Sequence, residues 1–377
     1  MLHCACRVTV AALLALQLSA STAAQPPFEL FNKKEQKGPA PQGTSGPQNN
    51  PALQQSLALF QQGKYDQSIN VAATGLKPVE SKLGSDHPMV ANFLNRIAEG
   101  YRMQARFSSA EPLYERSLRI REKAFGPEHR LVSQSLANFG MMRAAQRRLD
   151  EAEKLLRRSL AIREREVGSD STAVALTLSA LARIASIQGR GASAEEMLLR
   201  ALAIEEKANG PDHPEVARVL GNLGEHYLHE RNFPAAEATY TRAIAIGEKA
   251  FGGKHPLMTT ALTGLAKVYR EQDRLEEALA LYKKATALVD DSLDRGHPRM
   301  AEALAGQASI YVLGEDYDAA EVLFLEALRL LDAALGPEHP ETARTLDALA
   351  KVSAKLGKQA ESAQYAARVE KIRSTKR

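Results

Sequence analysis

Six histidines, His87, His129, His213, His255, His297 and His339, stand 42 residues or a multiple of 42 apart, and Ser171 fills the one vacant place. Asp86, Glu128, Asp212 and Glu338 precede four of them. Imidazole beside carboxylate is the raw material of zinc coordination and of general acid–base catalysis. A zinc ion, however, needs several donors about 2 Å from one point. Equivalent atoms in stacked helical units lie roughly 8–10 Å apart, so this column cannot converge on a shared ion. Its surroundings read as punctuation instead. Gly84, Gly126, Gly168, Gly210, Gly252 and Gly336 stand three residues before, and only Asp294 departs. A left-handed glycine ends a helix there. Pro88, Pro214, Pro256, Pro298 and Pro340 follow, where a first helical position tolerates a missing N–H. The histidine falls at the N-cap between them.

Other chemistry-bearing groups give way in the same manner. His226 and His229, with Glu225 and Glu230, have a spacing that could seed a metal site on one helix, but Met142, Ile184, Val268 and Ile310 share the column of His226. That makes it a histidine at the edge of a core. Asp290, Asp291 and Asp294 imitate a calcium loop only loosely, because Arg295 holds the place of the turn glycine and Ala301 that of the closing glutamate. No glycine-rich phosphate loop, Ser-His-Asp order or cysteine nucleophile is present. The sequence therefore offers no catalytic residue, no metal ligand and no cofactor site, and the expectation is a protein that is not an enzyme.

The elements carrying these residues follow from the repeat. In the unit from Gly210 to Phe251, apolar residues at Val216, Val219, Leu220, Leu223 and Tyr227 have helical spacing, as do Ala236, Tyr240, Ala243, Ile244 and Ala250 after a break at "ERNFP". Each unit is a helical hairpin. Leu94, Leu136, Leu178, Leu220, Leu262, Leu304 and Leu346 form a leucine column on the first helices. Four residues on, Ala98, Gly140, Ala182, Gly224, Ala266, Ala308 and Ala350 are all small, and Ala110, Ala152, Ala194, Ala236, Ala278, Ala320 and Ser362 answer them on the second helices. Paired small columns let two helices approach closely.

Leu220, Leu223, Gly224, Tyr227, Ala236, Tyr240 and Ala243 together resemble a tetratricopeptide repeat. The 42-residue period and the "EKAFG…HP" joint are similar to the kinesin-light-chain subtype, also found in bacterial repeat proteins. Where the usual repeat closes with proline, this chain has Glu248, so its second helix can continue. The resemblance implies an all-α fold, an α-α superhelix of about eight helical hairpins whose first helices line a concave groove. It implies groove positions at Asn95, Glu99, Arg102, Asn138, Arg183, Arg218, Asn222, His229, Lys267, Arg270 and Lys351, each of which is otherwise an ordinary solvated residue. The Lys/Asn clamp by which some members hold a chain-terminal carboxylate is not reproduced in consecutive units.

The first residues differ in kind. An apolar run from Val8 to Leu18 follows Arg7 and precedes the small residues "SASTAA", the pattern of a secretory signal peptide cleaved near Ala23 or Ala24. A membrane anchor needs roughly 20 apolar residues, more than this run supplies. Cys4 and Cys6, the two cysteines, both lie in this leader, so the exported chain has neither disulfide nor thiolate ligand. Residues 25–50, rich in Pro, Gly and Gln around a small cluster of Phe28, Leu30 and Phe31, read as a disordered linker. The repeat array is expected over 51–373, with joints near 87, 129, 171, 213, 255, 297 and 339 and a basic tail at 374–377. The expected location is periplasmic or secreted.

Without the leader the chain has 48 basic and 45 acidic residues, too balanced for a general nucleic-acid or membrane binder. The balance hides a polarity. Between Arg102 and Glu166 there are 15 Lys and Arg against 9 Asp and Glu, and between Glu271 and Arg344 there are 7 against 16. Two function classes follow. One is an exported adaptor that holds a peptide or partner protein in its groove without chemistry of its own. The other is a structural protein that self-associates head-to-tail through the oppositely charged segments. The polar, basic last helix suits a capping element and favours the adaptor.

Overall fold

The computed structural model describes residues 50–251, 256–292 and 296–374. The expected leader, nearly all of the expected linker, His255, the residues Asp294 and Arg295 weighed against a calcium loop, and the end of the tail lie outside the described residues. Among those described there are sixteen helices and no strand. They pair into eight hairpins: α1 (Pro51–Gln61) with α2 (Tyr65–Leu83), α3 (Pro88–Met103) with α4 (Phe107–Phe125), α5 (Arg130–Ala145) with α6 (Leu149–Val167), and α7 (Thr172–Ile187) with α8 (Gly191–Asn209). The series continues with α9 (Pro214–His229) and α10 (Phe233–Phe251), α11 (Pro256–Glu271) and α12 (Leu275–Ser292), α13 (Pro298–Leu313) and α14 (Tyr317–Ala334), α15 (Pro340–Lys355) and α16 (Gln359–Ser374). The fold is all-α. Two compact units divide it within α8, one ending at Ile204 and the other starting at Glu205.

The joints behave as the histidine column implies, with one difference. His87, His129, His213, His297 and His339 are N-caps in extended conformation, and in each the ring Nδ1 accepts the N–H two residues on, at 3.1–3.2 Å. An accepting Nδ1 leaves the proton on Nε2, so the neutral ring is the capping form. Ser171 caps by position without a side-chain bond. The glycines before them have φ between 84° and 94°, but ψ near 154–159° where the helix ends there. That is not the left-handed helical well. It is an extended region essentially closed to any residue with a Cβ, which explains why the column is glycine so consistently.

The small columns do what their size suggests. Ala98, Ala182, Ala266 and Ala308 are fully buried, as are Ala110, Ala152, Ala194, Ala236, Ala278 and Ala320. A Cβ on Gly224 would come within 2.8 Å of the Tyr240 ring. The leucine column is buried except at Leu304, which is half-buried.

On the outer side, the second helices other than α14 are tied each to the one before it. Arg158 reaches Glu122 at 2.8 Å, Arg200 reaches Glu164 at 2.7 Å, Arg242 reaches Glu206 at 2.5 Å and Arg368 reaches Asp332 at 2.5 Å, with Arg116 and Glu80 forming the first rung. The same guanidinium groups donate to joint carbonyls, Arg116 to Ser85, Arg158 to Pro127, Arg200 to Ser169, Arg242 to Pro211 and Arg368 to Pro337, at 3.0–3.5 Å. Lys284 makes the corresponding ion pair, at 3.0 Å to Glu248. Glu326 stands in the arginine column and pairs with Arg329 of its own helix.

Candidate interaction surface

Within each unit, successive first helices touch one another directly: α1 with α3, α3 with α5 and α5 with α7, then α9 with α11 and α11 with α13. Successive second helices stand farther apart. The first-helix side is thus the more closely packed one within each unit, and it carries the residues at issue.

In the N-terminal unit this face is more buried than solvated groove positions would be. Asn95 and Asn138 are 2% and 5% exposed. Neither amide atom of Asn95 has a hydrogen-bond partner, nor does Oδ1 of Asn138. Glu99 and Arg102, also buried, close on each other at 2.5 Å, and the Tyr114 hydroxyl donates to Glu99 at 2.6 Å. Burial alone would raise the Glu99 carboxyl, but Arg102 and Tyr114 outweigh it and hold it below the usual carboxylate range. Burial and the adjacent Glu99 charge push the Tyr114 hydroxyl well up. Arg183 is different. Half-buried on α7, it makes no hydrogen bond or ion pair among the described residues. Burial, with the like charges of Arg102 and Arg147, pushes its guanidinium down to about 10.

The C-terminal unit pairs its charges. Arg218 bonds Glu215 at 2.7 Å and lies 3.9 Å from Glu205. Lys267 donates to Glu302 at 2.8 Å, so burial is outweighed in both: Lys267 is raised and Glu302 lowered. Arg270 meets Glu271 at 3.0 Å and Lys351 meets Asp347 at 2.6 Å. Glu341 pairs with Arg344, yet burial first, and then the Glu302 charge, push its carboxyl up to about 7. Asn222 is half-buried, and His229 is exposed beside Glu230 at 3.4 Å. His226 is 4% exposed, a core-edge histidine as its column implied.

Spacing put the cations and amides on the first helices but gave no sign of how they would be satisfied. The acids Glu302 and Glu341 were missed and Glu225 was weighed only as a metal ligand, although Glu225 shares a column with Glu99 and Lys267, and Glu302 one with Arg218 and Arg344. Arg143 was missed as well. It lies over the Phe139 ring at 4.7 Å and bonds Glu111 at 2.6 Å, at a place where other units carry Tyr101, Tyr227, Tyr269 and Tyr311.

Paired helices, small columns at the crossings and a first-helix face rich in polar groups agree with the family comparison. A tetratricopeptide repeat profile matches residues 50–123, 90–165, 131–207, 171–249, 215–291 and 297–375. The chain belongs to the tetratricopeptide repeat family. Tandem tetratricopeptide repeats are protein–protein interaction scaffolds, and this chain is one. Similar solved structures include a putative kinesin light chain with nearly identical repeats from Podospora anserina, 21% identical over 53% of this chain and 94% of that one, TM-score 0.44. BtubC (BKLC) from P. vanneervenii is 20% identical over 63% of this chain and 94% of that one, TM-score 0.48. A Rap protein in complex with competence and sporulation factor is 13% identical over 86% of this chain and 97% of that one, TM-score 0.52. That last likeness is one of fold. No curated protein matches the chain. Among the described residues no group of His, Cys, Asp and Glu could hold a metal ion, and no helix is long and apolar enough to cross a membrane.

Proposed function

We propose that this tetratricopeptide protein is an exported adaptor whose first-helix face holds an extended peptide segment of a partner protein, without chemistry of its own. The observation that carries this reading is the pair Asn95 and Asn138. A buried amide left without partners costs about 1–3 kcal/mol. A side-chain amide offers one acceptor and two donors, the complement of a peptide main chain, and turning these buried amides outward onto an incoming strand would supply what the fold withholds. The self-association reading has less support. Many acids of the negative segment are already paired within the chain, among them Glu277 with Arg274, Glu321 with Lys358, Asp332 with Arg368 and Glu341 with Arg344.

The test is an array of random octapeptides, acetylated and amide-capped, probed with the purified chain. Wild type should select a subset. Asn95→Ala with Asn138→Ala should lose that subset while keeping its helicity and melting temperature, and unchanged selection by the double variant would move the site off this face. Export is tested by intact mass after expression in a Gram-negative host, where about 23 or 24 residues should be missing.

A further inference from the structure

Resting on the peptide reading above, we propose that the first-helix face of the N-terminal unit contains a subsite for a side-chain carboxylate, in which Arg183 receives an Asp or Glu of the bound segment while Asn95 and Asn138 hold its main chain.

The argument starts from what surrounds Arg183 and what does not. One period of 42 residues relates it to Met141 and two relate it to Glu99. Around Glu99 the chain builds a closed cluster, with Arg102 as counter-charge and Tyr114 as donor. Around Arg183 the corresponding places are Ser186 and Leu198. The device that neutralises the first charge is therefore absent for the second. The charges that do act on Arg183 are those of Arg102 and Arg147, both of its own sign. At about 10 its guanidinium still keeps its proton at neutral pH.

A half-buried cation among like charges is unfavourable in the free protein. An anion brought by a ligand removes that cost. The planar guanidinium fork fits a carboxylate through two parallel N–H···O bonds. Arg102 is already committed to Glu99 and Arg147 is exposed to water, which leaves Arg183 as the one half-buried cation of the three without a counter-charge and hence a site matched to one negative charge. A phosphate, near −2 at neutral pH, fits that balance less well.

Register adds a spacing. Asn138 precedes Met141, the α5 counterpart of Arg183, by three residues, about 4.5 Å along a helix. Adjacent first helices are separated by roughly 8–10 Å. The amide and the guanidinium are then about 10 Å apart, which an extended chain crosses in about three residues. The bound segment should carry its acid about three residues from the peptide group held by Asn138.

The same array decides the matter, because capping both peptide ends removes every terminal carboxylate, and phosphoserine can be included among the building blocks. Wild type should enrich Asp or Glu at one position. Changing that acid to its amide should weaken binding about 10-fold or more, the scale of a charge-assisted bond. Arg183→Gln should lose the same factor for the acidic peptide and nothing further for the amide peptide, and Arg183→Lys should recover part of it. Arg183→Gln should also melt at or above the wild-type temperature, since an unpartnered charge has been removed. A lower melting temperature would show that Arg183 holds the fold together, and would overturn the subsite. So would selected peptides without acid preference, or with phosphoserine preferred, while leaving the peptide reading intact. An array in which no peptide rises above the random pool would overturn both.

Discussion

The two units stack hairpins of one design with different adhesives. In the N-terminal unit the second helices are stapled to their neighbours by buried polar groups. Ser117 donates to the Ala91 carbonyl at 3.0 Å and Ser159 to that of Ser133 at 2.8 Å. Arg121, 3% exposed, bonds the Leu131 carbonyl, Ser135 and Asn92, and Arg163, 6% exposed, bonds the Ala173 carbonyl, Thr177 and Ser133. The same columns in the C-terminal unit read Ala243, Ala285, Ala327 and Val369, and Glu205, Gly247, Val289, Leu331 and Arg373. Between its polar ends, Glu205 and Arg373, those joints are dry. A satisfied polar staple has directional demands that fix how the next hairpin sits, whereas apolar packing depends on volume and tolerates sliding. The repeat thus conserves spacing and leaves the kind of cohesion free.

The strongest way to break this contrast is to dry one staple. Arg163→Leu strips donors from a carbonyl and two hydroxyls that stay buried, and urea unfolding should show a loss of about 3 kcal/mol or more. A neutral result would mean that the two adhesives are interchangeable. The reverse test adds volume to the dry unit. A Cβ on Gly264 would meet the Tyr240 ring at 2.4 Å, so Gly264→Ala should cost about 1–3 kcal/mol by overpacking, although Ala180 holds the corresponding place in the N-terminal unit.

Proton linkage sharpens the contrast further, because Glu99 on one first-helix face and Glu341 on the other answer pH with opposite sign. Glu99 is held below its ordinary 4.5, so its contribution is present above that value and is lost as pH falls through its folded value. Glu341 is raised from 4.5 to about 7, so folding favours its proton and stability is lost as pH rises between those values. Glu341→Gln should flatten that decline in melts taken from pH 4.5 to 7.5, with no effect on the acid limb, and an unchanged profile would show that the carboxyl is solvated. The smallest effect belongs to the outer ladder. Arg242→Ala removes the rung to Glu206. It should lower stability by about 0.2–1 kcal/mol, the range of an exposed pair, and less at high salt.

The hairpins, the joints and the close crossings could be read from the sequence because a 42-residue period lets one unit check another. Two things could not. The middle residue of every hairpin turn has positive φ, but only Gly63, Gly189 and Gly357 advertise it, while Ala105, Arg147, Arg231, Asp273 and Glu315 adopt it without a glycine. Hydrogen bonds to the preceding helix end hold them there, as Arg148 N–H does to the Arg143 carbonyl at 3.0 Å. The state of the first-helix charges was equally hidden. Glu99 and Arg183 occupy one column, but one is locked in a cluster and the other has none, and that depends on residues 102, 114, 186 and 198, scattered over four helices.

The outer ladder also bears on how such a chain grows. Each rung spans 36 residues and each arginine-to-joint bond spans 31, both less than one period, so every tie runs to the hairpin just before. Except at α14, where Glu326 interrupts the donor column, duplicating or deleting 42 residues within a unit returns each donor to an equivalent acceptor, whereas a change of any other length misplaces all the ties downstream of the cut. Gene copying in whole periods is structurally silent here, and the ladder acts as a reading frame for recombination.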